Sequence, residues 1–406
     1  MERNPGVGVG RAAARARGAR VVGPGLYLHL PFCSAICPYC DFSVLTGAAE
    51  RGQGFVQTLR EELALWSRRP FPGGPFDSVY LGGGTPSLLA AEQLAAVLDA
   101  ARAMLPIAPD ASLSMEANPE DVTAESVAAW RALGVGTLTL GVQSFSDRAL
   151  LFLGRRHDAR AGREAVERAL GAGFAVVGVD LIYGLPDQVA AEWERDLETA
   201  VALAPQHLSC YQLTVHTDTP FGFRRERGEL SELPEAGQAD LFRTTHERLA
   251  AAGYAAYEVS SFAREPEHRS RHNAKYWRHT PYLGLGPSAH SFDGARRFWN
   301  ERKLGTWQRA VEAGRLPIAG EETLGPADLA LETLMLGLRT VEGVDLARLR
   351  GLGYDLEAAN RPLLQRLAAE GLLRVEGDYL VPSLEGWALA DGLAGSFALS
   401  PAPGVR

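Results

Sequence analysis

The chain predicts an α/β protein: a partial (β/α)6 TIM-like barrel followed by a small C-terminal winged-helix-like domain. Three observations carry this. Short β-type runs alternate with helix-length amphipathic segments over residues 25–255, each run ending in a Gly- or Pro-marked loop, as in a parallel sheet with right-handed crossovers. The polar and glycine-rich signatures fall directly after those runs, on the rim where parallel barrels collect functional groups. From Thr323 the pattern changes to a helical triplet and then LLRVEGDYLVP, two strand-like runs turning at Glu376 to Asp378.

Residues 1–24 are rich in Arg, Ala and Gly with one acid, Glu2, and read as a solvated, disordered arm, a transit-like or anion-seeking arm being the alternative. The strand-like runs are Gly25 to Leu30, Asp77 to Leu81, Leu113 to Met115, Thr137 to Val142, Ala175 to Ile182 and His207 to Thr214. Between the first two, Phe55, Leu59, Leu63 and Trp66 recur at three- and four-residue spacing, which puts them on one helix face. A helix follows from about Pro234 to Ala252. The aromatic-rich stretch at 256–322 is expected to close the barrel, and 323–406 forms the winged-helix-like domain. Winged helices often bind DNA, but this one carries seven Arg and no Lys against eleven acids, so it reads as a lid or protein-contact domain.

With 46% hydrophobic and 22% charged residues the chain is an ordinary globular protein. Its 41 basic residues against 49 acidic ones leave a net charge of -8, which disfavours nucleic acid. No apolar run reaches the roughly 18 residues of a membrane span; the uncharged stretch Ala132 to Ser146 is broken by Gly, Thr, Gln and Ser. Four cysteines, three of them clustered, do not make a disulfide framework, so a reducing, cytoplasmic location is expected.

The clustered three, Cys33, Cys37 and Cys40, lie in LHLPFCSAICPYCDFSV. A C-x3-C-x2-C loop supplies three thiolates, one fewer than a closed iron-sulfur or zinc site takes, so one metal position stays open. Zinc with His29 or Asp41 as fourth ligand is the alternative. Cys210, alone in HLSCYQLTV, reads as a buried thiol. If a four-iron cluster occupies the loop, its uncapped iron can chelate the amino and carboxylate groups of an amino-acid-like cofactor. The rim residues suit such a molecule. Gly82, Gly83 and Gly84 in LGGGTPS let backbone approach closely, Glu116 in MEANPE and Asp180 in DLIYGLP can accept from hydroxyls or an ammonium, Gln143 in GVQSF can donate or accept, and Arg155 can pair with a carboxylate. Singly, each has a plainer reading as a tight turn, a paired buried acid or a solvated charge.

The motifs CSAICPYC, GGGTPS, EANPE, GVQSF and DLIYGLP, in this order, resemble the radical S-adenosylmethionine (SAM) superfamily, and within it the relatives of oxygen-independent coproporphyrinogen III oxidase, over roughly residues 25–400. That resemblance implies a barrel of the radical SAM type, a 4Fe-4S cluster on Cys33, Cys37 and Cys40, and S-adenosyl-L-methionine against Tyr27, Tyr39, Gly83, Gly84, Thr85, Glu116, Gln143, Arg155 and Asp180. It also implies a one-electron reduction of the sulfonium that releases a 5'-deoxyadenosyl radical, and hence an electron donor for the cluster. The oxidase branch carries a further cysteine two residues after the third ligand, where this chain has Phe42, and a longer segment ahead of the cluster. The chain is instead similar to the neighbouring HemW-type haem chaperones, with their H-N-x-x-Y-W element at His272, Asn273, Tyr276 and Trp277.

An imidazole can ligate haem iron while adjacent aromatics cover a porphyrin face; a hydrogen-bonded histidine among core aromatics is the alternative, and His290 is another candidate ligand. The resemblance implies a haem chaperone with haem as cargo and haem-accepting proteins as partners, the alternative being a radical oxidoreductase acting on coproporphyrinogen. Whether radical chemistry is retained, and the oligomeric state, with a homodimer among the options, stay open.

Overall fold

The computed structural model describes residues 23–400, so the expected N-terminal arm lies outside the described residues but for its last two. Six strands, β1 (Gly25–Leu30), β2 (Phe76–Gly83), β3 (Ile107–Ala117), β4 (Thr137–Gln143), β5 (Val176–Tyr183) and β6 (His207–Gln212), pair in parallel in sequence order. Helices α1 (Ala48–Trp66), α2 (Ala91–Met104), α3 (Ala124–Ala132), α4 (Asp147–Phe152), α5 (Ala159–Gly171) and α6 (Ala190–Leu203) make the crossovers. This is the partial barrel that the alternation predicts.

Strand parity decides what faces the lumen. In β4, Leu138, Leu140 and Val142 are fully buried against the helices while Thr137, Thr139 and Gly141 alternate with them on the inner face. The register carries that inner face across the sheet, from Tyr27 opposite Tyr80, through Ser114 opposite Thr137 and Gly141 opposite Asp180, to Asp180 opposite Ser209. The outer face is apolar and helix-covered; the inner face is polar and aromatic. β3 begins six residues earlier than expected, because Ile107 pairs with Phe76 before a register shift restores Ser78 to Ser112.

Both edges are extended. After α7 (Pro220–Glu226) and α8 (Glu235–Ala251) come β7 (Ala255–Ala256) and β8 (Ser261–Ala263), β8 pairing antiparallel with β6 and β7 antiparallel with β8. Helix α9 (Asn273–Trp277) precedes β9 (Tyr282–Leu285), which pairs in parallel with β1, and β10 (His290–Phe292), β11 (Arg296–Asn300) and, after α10 (Leu304–Glu312), β12 (Ile318–Thr323) follow antiparallel. The segment expected to close the barrel thus widens the sheet instead, and among the described residues no ladder joins β12 to β7. Glu62, buried on α1, ties this extension down by accepting from the Gly286 amide at 2.8 Å, Asn300 Nδ2 at 2.6 Å and Trp307 Nε1 at 3.0 Å.

The C-terminal unit follows α11 (Pro326–Gly337), β13 (Val344–Asp345), α12 (Leu346–Gly351), α13 (Leu356–Ala369), β14 (Leu373–Glu376) and β15 (Tyr379–Pro382), ending in α14 (Leu384–Ala388) and α15 (Ala390–Ser396). β14 and β15 form the expected hairpin, with Gly377 at φ 60° in its turn, and β13 pairs with β15. Its own core of Leu334, Leu338, Leu346, Leu349, Leu367 and Leu380 is the winged-helix outline read from the sequence.

Candidate active site at the barrel mouth

The cysteine loop leaves β1 and is pinned where it returns: the Cys33 amide donates to Leu45 O at 2.8 Å and the Leu45 amide to Pro31 O at 2.7 Å. A third tie runs from the Phe221 amide to Pro38 O at 2.9 Å, and Tyr39 packs near Phe221 with ring centroids 6.5 Å apart. Thr85 Oγ1 donates to Cys33 Sγ and Arg155 Nη1 to Cys37 Sγ, each at 3.5 Å. Burial raises the Cys33 thiol and pushes Cys40 up to about 11, so metal binding here releases protons.

Cys33, Cys37 and Cys40 line one cavity of about 440 Å³ together with Tyr39, Gly83, Gly84, Thr85, Glu116, Gln143, Arg155 and Asp180. Eleven of the twelve cluster and cofactor residues that the sequence singles out, all but Tyr27, therefore share this cavity. Tyr27 is placed apart: it lines an adjoining lumen cavity of about 500 Å³ that shares Glu116, Thr139, Asp180 and Tyr211 with the first, and its hydroxyl is bonded to His29 Nδ1 at 3.0 Å.

The polar atoms facing the cavity are incompletely satisfied. Gln143 Oε1, Asp180 Oδ1 and Arg155 Nε are buried with no protein partner among the described residues, an arrangement that costs free energy unless a ligand supplies the missing bonds. Burial, offset in part by Ser209, pushes Asp180 up to about 7, and burial likewise raises Glu116, whose Oε1 accepts from Tyr80 OH at 2.7 Å. Gln143 has φ 69°, a left-handed conformation at a register irregularity between β4 and β5. At Gly83, φ 103°, a Cβ would sit 2.3 Å from His29 Nδ1, and at Gly84 it would lie 2.7 Å from Leu30 O. Neither position accepts a side chain, which leaves backbone exposed to a ligand.

Among the described residues no three His, Cys, Asp or Glu side chains converge on one metal ion. His29 is not offered as a ligand either, since its Nε2 is bonded to Ser43 O at 3.0 Å and its Nδ1 to Tyr27. Asp41 lies 3.6 Å from His216. The donor set and the unsatisfied atoms fit a cluster with an amino-acid-like cofactor better than zinc.

Two residues of the site were not singled out from the sequence. Asn118 Nδ2 donates to Thr85 Oγ1 at 3.1 Å, and its Oδ1 accepts from Arg155 Nη2 at 2.7 Å, so it orients both. Tyr80 holds Glu116. Their inner-face parity and the EANPE motif were the available signals. Cys210 is buried, as expected.

The HNAKYW element divides. His272 is 1% exposed, bonded through Nδ1 to Ser78 Oγ at 3.1 Å and through Nε2 to Tyr276 OH at 3.0 Å, and stacked on Tyr80. Of the two readings of this histidine, the structure has the hydrogen-bonded one among aromatics; neither nitrogen is free to take iron. Asn273 and Tyr276 reach both the lumen cavity and a cleft of about 980 Å³, which Trp277 also lines. His290 is exposed and stacked on Trp299.

The radical SAM superfamily model matches residues 27–200, and the HemN C-terminal domain model matches residues 324–389. The chain is 39% identical over 372 residues to the heme chaperone HemW of Mycobacterium tuberculosis strain H37Rv, covering 91% of this chain and 93% of that protein. It is 36% identical to HemW of Escherichia coli K12, covering 87% and 92%, and 30% identical to HemW of Bacillus subtilis 168, covering 91% and 98%. The solved coproporphyrinogen III oxidase (HemN) of Escherichia coli superposes with a TM-score of 0.78 over 95% of this chain and 92% of that one at 23% identity, a likeness of fold. A barrel with three loop cysteines facing unsatisfied cofactor-type groups, joined to this C-terminal unit and matched to a HemW chaperone at 39% identity over 91% of this chain, means that the chain belongs to the HemW family of the radical SAM superfamily.

Proposed function

We propose that the protein is a haem chaperone that binds haem and delivers it to acceptor proteins, and that it carries a 4Fe-4S cluster and S-adenosyl-L-methionine. The observation that carries this reading is the likeness to heme chaperones over 91% of the chain, through barrel and C-terminal unit alike. Cys33, Cys37 and Cys40 would hold the cluster. Arg155 would pair with the cofactor's carboxylate, the backbone at Gly83 and Gly84 would meet its amino-acid head, and Asp180, Glu116 and Gln143 would satisfy its hydroxyl, ammonium and amine groups. Thr85 and Tyr39 would wall the same space, with Tyr27 one layer deeper in the lumen. When bound, the pair supplies one-electron chemistry; the chain's part is to orient the cofactor and exclude water.

Haem would lie at the cleft lined by Asn273, Tyr276 and Trp277. An electron donor would approach the cluster loop, where Ile36 and Phe42 are 52% and 66% exposed. The protein would work in the cytoplasm, whose reducing poise keeps cluster thiols competent, and a homodimer is compatible with the reading.

The test is anaerobic reconstitution with iron and sulfide, followed by haem titration. Close to four irons and four sulfides per chain with a haem-dependent Soret shift are expected. A colourless protein holding one zinc, or no Soret shift, rejects the reading. Incubation with coproporphyrinogen III, reductant and S-adenosyl-L-methionine separates the oxidoreductase alternative, which requires protoporphyrinogen to form.

A further inference from the structure

A cavity of about 800 Å³ lies between the 257–279 segment and the C-terminal unit, away from the cysteine loop. Its wall carries an excess of guanidinium in a chain whose net charge is -8. Arg278 Nη2 pairs with Glu342 Oε1 at 3.0 Å, and Arg269 Nη1 reaches the same oxygen only at 3.8 Å. Arg348 donates to the carbonyl of Arg278 at 3.2 Å, and among the described residues no carboxylate lies within 4 Å of it. The acid whose charge acts on it, Asp345, caps α12, accepting from the Arg348 amide at 2.8 Å. Glu267 on the same wall is exposed to solvent.

These arginines are built in. Arg269 is 15% exposed and held with its guanidinium 5.3 Å from the Tyr257 ring centroid. Burial lowers the pKa of both Arg269 and Arg348, the mark of cations with too few anions around them. Trp277 lines this cavity and also the 980 Å³ cleft next to it, so a flat ligand lying on Trp277 reaches both.

We propose that this cavity is the carboxylate-reading part of the cargo site: Arg269 and Arg348 receive the propionate groups of haem while Trp277 lies against the macrocycle. The proposal rests on the haem-chaperone reading and adds to it the groups that recognise the cargo. Guanidinium is suited to this, since its fork matches a carboxylate and it stays charged when partly buried.

The test compares haem with haem dimethyl ester, which keeps the iron and the ring but carries no carboxylate charge, by anaerobic titration of the full chain. The unaltered protein is expected to bind haem roughly tenfold to hundredfold more tightly than the ester. In Arg269→Gln and Arg348→Gln that preference should shrink while affinity for the ester holds, with thermal unfolding recorded for each variant. Should one variant misfold, the other and the ester comparison on the unaltered chain still decide. Equal binding of haem and ester by the unaltered chain, or a preference undiminished in folded variants, overturns the proposal while leaving the chaperone reading intact. Binding of neither porphyrin overturns the chaperone reading itself. A third arm titrates succinate: arginine-dependent succinate binding that does not compete with haem assigns the cavity to a free dicarboxylate and overturns the propionate assignment.

Discussion

The ammonium of Lys275, fully buried in α9, is ion-paired with Asp77 in β2, and its Nζ also donates to Gly23 O at 2.7 Å. Asp77 in turn accepts from the Gly23 amide at 3.0 Å. Three chain segments far apart in sequence therefore meet at one charge pair, which fixes the helix bearing Asn273, Tyr276 and Trp277 against the start of the barrel.

Lys275→Met is expected to destabilise the protein by about 3 kcal/mol, because it leaves the Asp77 carboxylate buried without its cation. Urea unfolding measures this, and a loss below about 1 kcal/mol would mean that Arg271, 3.5 Å from Asp77, compensates.

Much of the fold was legible because its signals are local. The parity of β4 and the spacing of Phe55, Leu59, Leu63 and Trp66 depend on neighbours a few residues away. The same holds for the cysteine loop and the glycines at 83 and 84. Two of the features that were illegible are set by partners nearly two hundred residues distant, Asp77 for Lys275 and Ser78 for His272. Nothing in HNAKYW marks Lys275 as buried, and its burial depends on Asp77. His272 was indistinguishable from an available ligand until Ser78 and Tyr276 were seen to occupy both of its nitrogens. The edge strands of residues 256–322 were missed since sheet extension leaves no mark in a short aromatic run.

His272→Ala is expected to retain the haem-dependent Soret shift and to lose about 1 to 3 kcal/mol of stability, as Ser78 and Tyr276 lose their partner. Loss of the shift in a variant that unfolds at the native temperature would instead make His272 the iron ligand.

The same histidine predicts a pH effect. Burial pushes His272 down to about 3 and His207 and His246 to about 4, so the unfolded chain takes up protons that the folded chain refuses. Stability is fully present above the ordinary histidine pKa of 6.5 and is lost as pH falls towards the folded values. At pH 5 the share of His272 is about 2 kcal/mol, which denaturation of His272→Ala and the unaltered chain at pH 5 and 7.5 will register as a shallower slope in the variant.

Glu62 pulls the other way. Burial pushes it up to about 7 against its hydrogen bonds from Gly286, Trp307 and Asn300. Its folded pKa is raised, so its contribution is complete below the ordinary 4.5 and is lost as pH rises through 7. Between pH 5 and 8 this amounts to about 2 to 3 kcal/mol. Glu62→Gln should therefore lose stability relative to the unaltered chain at pH 5 and recover by that amount at pH 8; a pH-independent difference would show that Glu62 is ionised throughout.

Arg155 offers the sharpest separation of cluster from cofactor. Its Nη2 is spent on Asn118 and on Gly141 O at 2.8 Å, and its Nη1 touches Cys37, while its buried Nε has no partner in the protein. A lysine keeps the charge but cannot hold Asn118 and Gly141 while also offering an N–H where Nε stands. Arg155→Lys is expected to keep the iron and sulfide content of the reconstituted protein, since the three thiolates are untouched, and to weaken S-adenosyl-L-methionine binding roughly tenfold to hundredfold. Equilibrium dialysis on protein of known iron content reads the two separately. Unchanged cofactor affinity would remove Arg155 from the carboxylate-binding role, and loss of iron along with affinity would make it a support of the cysteine loop instead.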